Sequence, residues 1–159
     1  MQTHTQQIDS EDVVEVLNAL IENCKDGEYG FRTCAKKATA PDLKALFEDR
    51  AQDCKIAADE LGAAVTELGG KPENDGTVSG AAHRGWVTVR AAFSNNEDLA
   101  MLEECERGED KALERYKEAL AQPLPAAIAS LIGRQMASTK ANHDQIRGLR
   151  DRMKQTTRA

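Results

Sequence analysis

One acidic residue stands where the first predicted helix should be apolar. The apolar residues of positions 17–38 recur at alternating spacings of four and three, which is the pattern of a helix packed in a bundle. Glu28 lies on this apolar line between Cys24 and Phe31. Because a buried carboxylate must be paired, bound to a metal or protonated, we expect Glu28 to meet a partner from another helix.

Polar residues interrupt the apolar lines of the other predicted helices as well. Arg50 takes an inward position on the second helix, Glu106 and Glu109 take two on the third, and His143 flanks the line of the fourth. Counted from the end where helix one finishes, these residues and Asp53 lie at about the same depth, within one helical turn. We call the set the predicted polar layer: Glu28, Arg50, Asp53, Glu106, Glu109 and His143.

Capping and helix-breaking residues predict the helices that position this layer. A tail at 1–9 precedes a single domain at 10–155, with helices at about 10–39, 41–68, 97–121 and 125–154. The short break at Pro41 makes the first two helices an antiparallel pair. The crossover at 70–96, which we expect to carry a short helix, is long enough to return along the bundle, so helix three should run parallel to helix two.

Composition narrows the class of protein. Charged residues make up 30% of the 159 residues and hydrophobic ones 40%, with few aromatics, which favours an all-α fold. The net charge of −6 argues against nucleic-acid or anionic-membrane partners. With no apolar membrane span or leader segment, we expect a cytoplasmic protein, and in that compartment a redox pair of Cys24 and Cys54 would be unusual.

Three stretches carry a resemblance to a known family. The segments CKDGEYGF, AAHRGWVTVRAA and LEECERGEDKALERYKEAL resemble an uncharacterised bacterial family of ferritin-like four-helix bundles, domain of unknown function 2383. The resemblance spans about residues 10–152 and implies a ferritin-like bundle. In that fold, Glu from two helices and Glu-x-x-His from the other two hold paired iron or manganese.

The sequence departs from this metal-binding pattern on two helices. Glu28 matches the helix-one ligand and Glu106 or Glu109 the helix-three ligand. Helix two, however, offers Arg50-x-x-Asp53 in place of Glu-x-x-His. On helix four, Thr139 or Lys140 stands three residues before Asn142 or His143, so the Glu of that motif is missing as well.

Two interpretations of the predicted polar layer follow. In the first, Arg50 neutralises the carboxylates in an internal salt-bridge network without a cofactor, and the protein is a non-catalytic, binding or stress-related bundle of unknown protein partner. We favour this interpretation because Arg50 already supplies the cation. In the second, the layer binds one or two ions of iron, manganese or zinc for storage or oxidase activity. The ligands would then be Glu28, Asp53, Glu106, Glu109 and His143.

The crossover offers a third function. His83 and Trp86 lie one turn apart in the short segment between helices two and three and could face a protein partner. Packing of this segment against the bundle is the simpler role. For the assembly we expect a homodimer, since two-fold dimers are the commonest oligomers.

Overall fold

Four long helices make up the part of the chain that the structure describes. The computed structural model describes residues 9–73 and 98–157. The helices are α1 (Ser10–Lys37), α2 (Pro41–Glu67), α3 (Asp98–Leu120) and α4 (Ala126–Thr157). The predicted all-α class is confirmed, and the bounds agree with the sequence-based ones to within a few residues. The predictions for residues 1–8, for the crossover helix and for His83 and Trp86 lie outside the described residues.

Local sequence signals explain where these helices begin and end. The first turn of α1 carries Glu11 and Asp12, which interact favourably with the positive end of the helix dipole. Its N-cap is Asp9, without a side-chain capping bond. After α2 the chain turns at Gly69, whose φ of 79° suits a residue without a Cβ.

A contact between the two helix hairpins, α1–α2 and α3–α4, fixes the direction of α3. The carboxylate of Asp98, the first residue of α3, accepts hydrogen bonds from the backbone N–H of Thr39 at 3.0 Å and of Ala40 at 3.2 Å, and from the Thr39 hydroxyl at 2.8 Å. Thus α3 begins at the end of the bundle where α2 begins, and the two helices run parallel as predicted. The pair Lys154–Glu103 and the pair Gln135–Tyr116 show that α4 returns antiparallel to α3.

The apolar core consists of two clusters. One lies near the turn between α1 and α2 and contains Phe31, Phe47 and Met101. The other lies at the opposite end and contains Leu17 and Leu61. Full burial of each such side chain contributes about 1.5–3 kcal/mol, so both ends of the bundle are held by packing and the middle is left for polar residues.

The described helices have no membrane-spanning character. Within residues 9–73 and 98–157, no helix has an apolar stretch long enough to cross a bilayer. The cytoplasmic location stays a prediction.

Candidate functional site

A buried ion pair lies between the two core clusters. Arg50 and Glu109 are each only 4% exposed, and the Nε and Nη2 groups of Arg50 donate to Oε1 of Glu109 at 3.2 and 2.9 Å. The Nη1 group donates to Oδ2 of Asp53 at 3.1 Å, and the guanidinium carbon lies 5.4 Å from the centre of the Phe31 ring. Helices α2 and α3 are therefore joined by a charge-assisted contact in which two guanidinium N–H groups donate to one carboxylate oxygen.

Burial and mutual attraction oppose each other in this pair. Burial lowers the pKa of Arg50, but the charge and hydrogen bonds of Glu109 outweigh it and raise that pKa overall. Burial raises the pKa of the Glu109 carboxyl, and the Arg50 charge only partly offsets this effect. Arg50 thus stays cationic, and it is the principal group that favours a charged Glu109.

Neutral polar side chains extend the centre toward α4. The Tyr116 hydroxyl donates to Oε1 of Gln135 at 3.1 Å, and Nε2 of Gln135 donates to the backbone carbonyl of Ala57 at 3.2 Å. Sγ of Cys24 lies 3.6 Å from the same hydroxyl, and burial raises the pKa of both Tyr116 and Cys24. These contacts fix the register of the helices without adding charge.

Glu28 lies away from this centre. Its side chain is 26% exposed and accepts hydrogen bonds from Nε and Nη2 of Arg32 at 3.1 and 3.0 Å. The inward position belongs to Gly27, where an added Cβ would lie 2.9 Å from Sγ of Cys54. The predicted contact between Glu28 and Arg50 is therefore wrong, because the close approach of α1 to α2 turns Gly27 inward and Glu28 to the side.

A second group of ionisable residues lies between α3 and α4. One ligand atom from each of Glu106, Asp110 and His143 falls within 4.8 Å of the others, and we call these three residues the histidine–carboxylate cluster. Nε2 of His143 lies 2.7 Å from Oδ1 of Asp110 and 3.8 Å from Oε1 of Glu106. Glu106 and His143 are largely buried, whereas the Asp110 side chain is 61% exposed.

The ring of His143 is oriented by a carboxylate on its other side. Nδ1 lies 3.1 Å from Oδ1 of Asp144, and hydrogen bonds from His143 and Lys140 lower the pKa of Asp144. Because an ionised carboxylate only accepts hydrogen bonds, Nδ1 donates to Asp144 and Nε2 is directed at the cluster. Nε2 is buried and, although it lies 2.7 Å from Oδ1 of Asp110, the angle of this contact is not that of a hydrogen bond, so Nε2 has no hydrogen bond to any described residue.

Arg150 orients the second ligand of the cluster. Its Nη1 group donates to Oε2 of Glu106, while Nη2 donates to Asp151 at 2.9 Å. Oε1 of Glu106 is then left to face His143. Such partners behind the ligands are usual at metal sites, because they fix side-chain orientation and protonation.

Sequence reasoning found two members of the cluster and missed the third. Glu106 and His143 belonged to the predicted polar layer, but Asp110 and Arg150, the partner of Glu106, did not. The spacing of four residues between Glu106 and Asp110 places both on one face of α3 and was the available signal. The structure brings Arg50, Asp53 and Glu109 together in one group, Glu106 and His143 in the other, and Glu28 in neither.

Comparison with known proteins places the chain in a family. The sequence model of a domain of unknown function, DUF2383, matches residues 12–122. The chain belongs to the DUF2383 family. No curated protein matches it significantly.

Solved structures show that this DUF2383 chain has the ferritin-like fold. A dodecameric thioferritin, the bacterioferritin-related protein of Bacteroides fragilis, is 16% identical with a TM-score of 0.73, over 94% of this chain and 92% of its own. A mutant of Dps1 from Mycobacterium smegmatis is 11% identical with a TM-score of 0.72, over 89% and 96%. The DPS protein of Vibrio cholerae O1, described as a member of a broad superfamily of ferritin-like diiron-carboxylate proteins, is 14% identical with a TM-score of 0.68, over 94% and 97%.

One of these comparisons corrects the predicted assembly. We expected a homodimer from the general frequency of two-fold pairs, yet the thioferritin with this fold is dodecameric. The homodimer prediction is therefore contradicted by the assembly of a structure that shares this fold.

The centre of the DUF2383 bundle does not fit a pair of metal ions. A ferritin-like di-metal site needs inward carboxylates and histidines from all four helices. Here the guanidinium of Arg50 occupies the middle and uses Glu109 and Asp53 as acceptors, while Glu28 faces Arg32. A fixed positive charge at this position opposes a second cation, so the di-metal arrangement is not available to these residues.

Proposed function

We propose that this protein binds a single divalent transition-metal ion at the histidine–carboxylate cluster. The observation that carries the proposal is Nε2 of His143, which is buried without a hydrogen bond to any described residue and faces the carboxylate oxygens of Glu106 and Asp110. One imidazole nitrogen and two carboxylate oxygens lie within 4.8 Å of one another, and the two carboxylates would attract a cation placed between them.

The donor set limits the choice of metal. One imidazole nitrogen and two carboxylate oxygens suit zinc, iron(II) or manganese(II) better than soft ions, which prefer thiolates. Three protein ligands leave at least one coordination position for water. The exposure of Asp110 gives an ion a path from solvent into the site.

Charge on either side supports one ion rather than two. Arg150 holds the far oxygen of Glu106, and Arg50 holds Glu109 on the inner side. Both guanidinium groups are permanently positive and take up carboxylate oxygens that a second ion would need. The fold shared with a thioferritin and a diiron-carboxylate protein supports metal handling as the class of function.

A metal-free network is the competing explanation of this geometry. It accounts for Arg50 with Glu109, and a proton on Nε2 of His143 would pair the ring with Asp110 and Glu106. It makes a different prediction, because added metal would have to displace that proton and would bind only weakly.

Isothermal titration of metal-free protein with Zn²⁺, and anaerobically with Mn²⁺ and Fe²⁺, tests the proposal. We expect one ion per chain, and a loss of binding of at least about tenfold in His143→Ala and Asp110→Asn, because replacing the residues that merely hydrogen-bond to metal ligands already costs roughly 10- to 100-fold. The matched controls Glu28→Gln and Asp53→Asn remove carboxylates of the originally predicted ligand set and should bind like wild type.

Two results would refute a site at this cluster. One is heat of binding no larger than for a buffer blank with all three ions. The other is equal affinity in wild type and His143→Ala. Circular dichroism of each variant shows that the bundle is still folded.

A further inference from the structure

The two thiols of Cys34 and Cys105 lie against each other across the interface of α1 and α3. Their Sγ atoms are 3.5 Å apart, and the residues are 0% and 1% exposed. A disulfide has a sulfur–sulfur distance of about 2.05 Å, so the two atoms need to approach by only about 1.5 Å. We propose that Cys34 and Cys105 are a modification site at which hydrogen peroxide forms a reversible disulfide.

The other two cysteines are arranged differently. Sγ of Cys24 contacts the Tyr116 hydroxyl, and Cys54 packs against the inward face of α1 at Gly27. The redox pair of Cys24 and Cys54 considered from the sequence is therefore not the pair whose sulfur atoms are in contact. Only the Cys34–Cys105 pair is held in sulfur–sulfur contact among the described residues.

A partly open cavity lies beside this pair. It has a volume of about 320 Å³ and is lined by residues of all four helices, among them Cys105 and Glu109. Exposed residues such as Arg107 and Lys111 also line it, so the cavity reaches the surface. Hydrogen peroxide is little larger than water, which occupies about 30 Å³ in the liquid, so the cavity has room for it beside Cys105.

The reaction balances with peroxide as the two-electron oxidant. The Cys105 thiolate attacks one peroxide oxygen, a sulfur–oxygen bond forms, the oxygen–oxygen bond breaks, and the departing hydroxide takes up a proton as water. The sulfur of Cys34 then attacks the sulfenic sulfur, the sulfur–sulfur bond forms, and the second hydroxide leaves with the Cys34 proton as water. Two thiols are oxidised and one peroxide is reduced to two waters.

The buried position sets the pH dependence of the rate. The hydrogen bond with Cys34 and burial both raise the pKa of Cys105, so little thiolate is present at neutral pH. We expect slow oxidation at pH 7 and a rate that rises about tenfold with each pH unit toward pH 9, since the thiolate is the nucleophile.

Mass spectrometry of peroxide-treated protein tests the proposal. The variant Cys24→Ala/Cys54→Ala leaves only the proposed pair, and denaturing alkylation after treatment reports which thiols remain. We expect loss of two hydrogens, a Cys34–Cys105 cross-linked peptide and full reversal by dithiothreitol. The cross-link joins the two hairpins, so the oxidised protein should also melt at a higher temperature than the reduced one.

Single-cysteine variants separate the two steps. In Cys34→Ala the reaction should stop at the sulfenic acid of Cys105, which dimedone traps. The proposal is overturned if wild type yields a Cys24–Cys54 cross-link instead, or if Cys34 and Cys105 stay fully reduced at pH 9 while Cys54 is oxidised. Each measurement is made with a chelator present, so it does not depend on the proposed metal site.

Discussion

Replacing Arg50 with leucine should destabilise the bundle in a way that depends on pH. The substitution removes the charge and both hydrogen bonds that favour ionised Glu109 and leaves burial as the dominant influence on this carboxyl. A carboxylate buried without a partner takes up a proton instead of staying charged. The folded state of Arg50→Leu then carries a neutral Glu109, whereas the unfolded chain carries an ionised one.

The size of the effect follows from the proton that must be bound. Holding Glu109 protonated in the variant costs about 1.4 kcal/mol for each pH unit above an unfolded pKa of about 4.3, which amounts to about 3.8 kcal/mol at pH 7 and about 1 kcal/mol at pH 5. Because the pKa of Glu109 is already raised in wild type, the loss relative to wild type is smaller than these values. The sign is that of a raised folded pKa, so stability is retained at low pH and lost as the pH rises. The value at pH 7 agrees with the roughly 3–5 kcal/mol found on breaking buried ion pairs.

Urea unfolding followed by circular dichroism at pH 5 and pH 7 measures both values. The double variant Arg50→Leu/Glu109→Gln is the matched control, because a glutamine does not titrate and the pH dependence that Arg50→Leu adds should vanish. A loss of stability in Arg50→Leu that is the same at both pH values, or below about 1 kcal/mol at pH 7, would show that Glu109 is not the group left unpaired.

Three further substitutions test other contacts of the bundle. Gly27→Ala should lose about 1–3 kcal/mol in urea unfolding, because the new Cβ would lie 2.9 Å from Sγ of Cys54 and α1 must move; adding Cys54→Ala should restore most of it. Burial raises the pKa of Asp26 to about 6, so wild type should lose stability relative to Asp26→Asn as the pH rises from about 4 to 6, measured by thermal melts. Asp98→Ala should cost about 1–3 kcal/mol through loss of its bonds to Thr39 and Ala40, and Asp98→Asn should cost less.

Different observations would contradict each of these three. An unchanged urea midpoint in Gly27→Ala would mean that α1 and α2 are not in close contact there. Parallel melting curves of wild type and Asp26→Asn between pH 4 and 6 would mean that this carboxyl titrates normally. Equal stability of Asp98→Ala and wild type would mean that the hairpins are joined by apolar packing alone.

Helix positions and directions could be predicted because they rest on local signals. Proline and glycine breaks mark the ends of α1 and α2, and the length of the crossover gave the parallel arrangement of α2 and α3. The polarity of the bundle centre was also visible, since Arg50 and Glu109 interrupt regular apolar spacing. These features require no knowledge of how one helix is rotated against another.

The spacing of residues in the sequence did not determine how each helix is rotated about its own axis. Neighbouring residues differ by about 100° around a helix, so a small error in rotation exchanges Gly27 for Glu28 at the inward position. The contact with Cys54 decides between them, and it depends on the distance between two helix axes. Asp110 was missed for a related reason, because an exposed carboxylate becomes a ligand candidate only when His143 is at the same height on α4.

The bonds of Asp98 to the turn after α1 have a consequence for how the chain is connected. They hold the start of the second hairpin against the first without using the covalent link between them. Residues 9–73 and 98–157, produced as two separate polypeptides, should therefore recognise each other and associate in the native register. In this sense the bundle is a complex of two helix hairpins, and Asp98 specifies the register in which they associate.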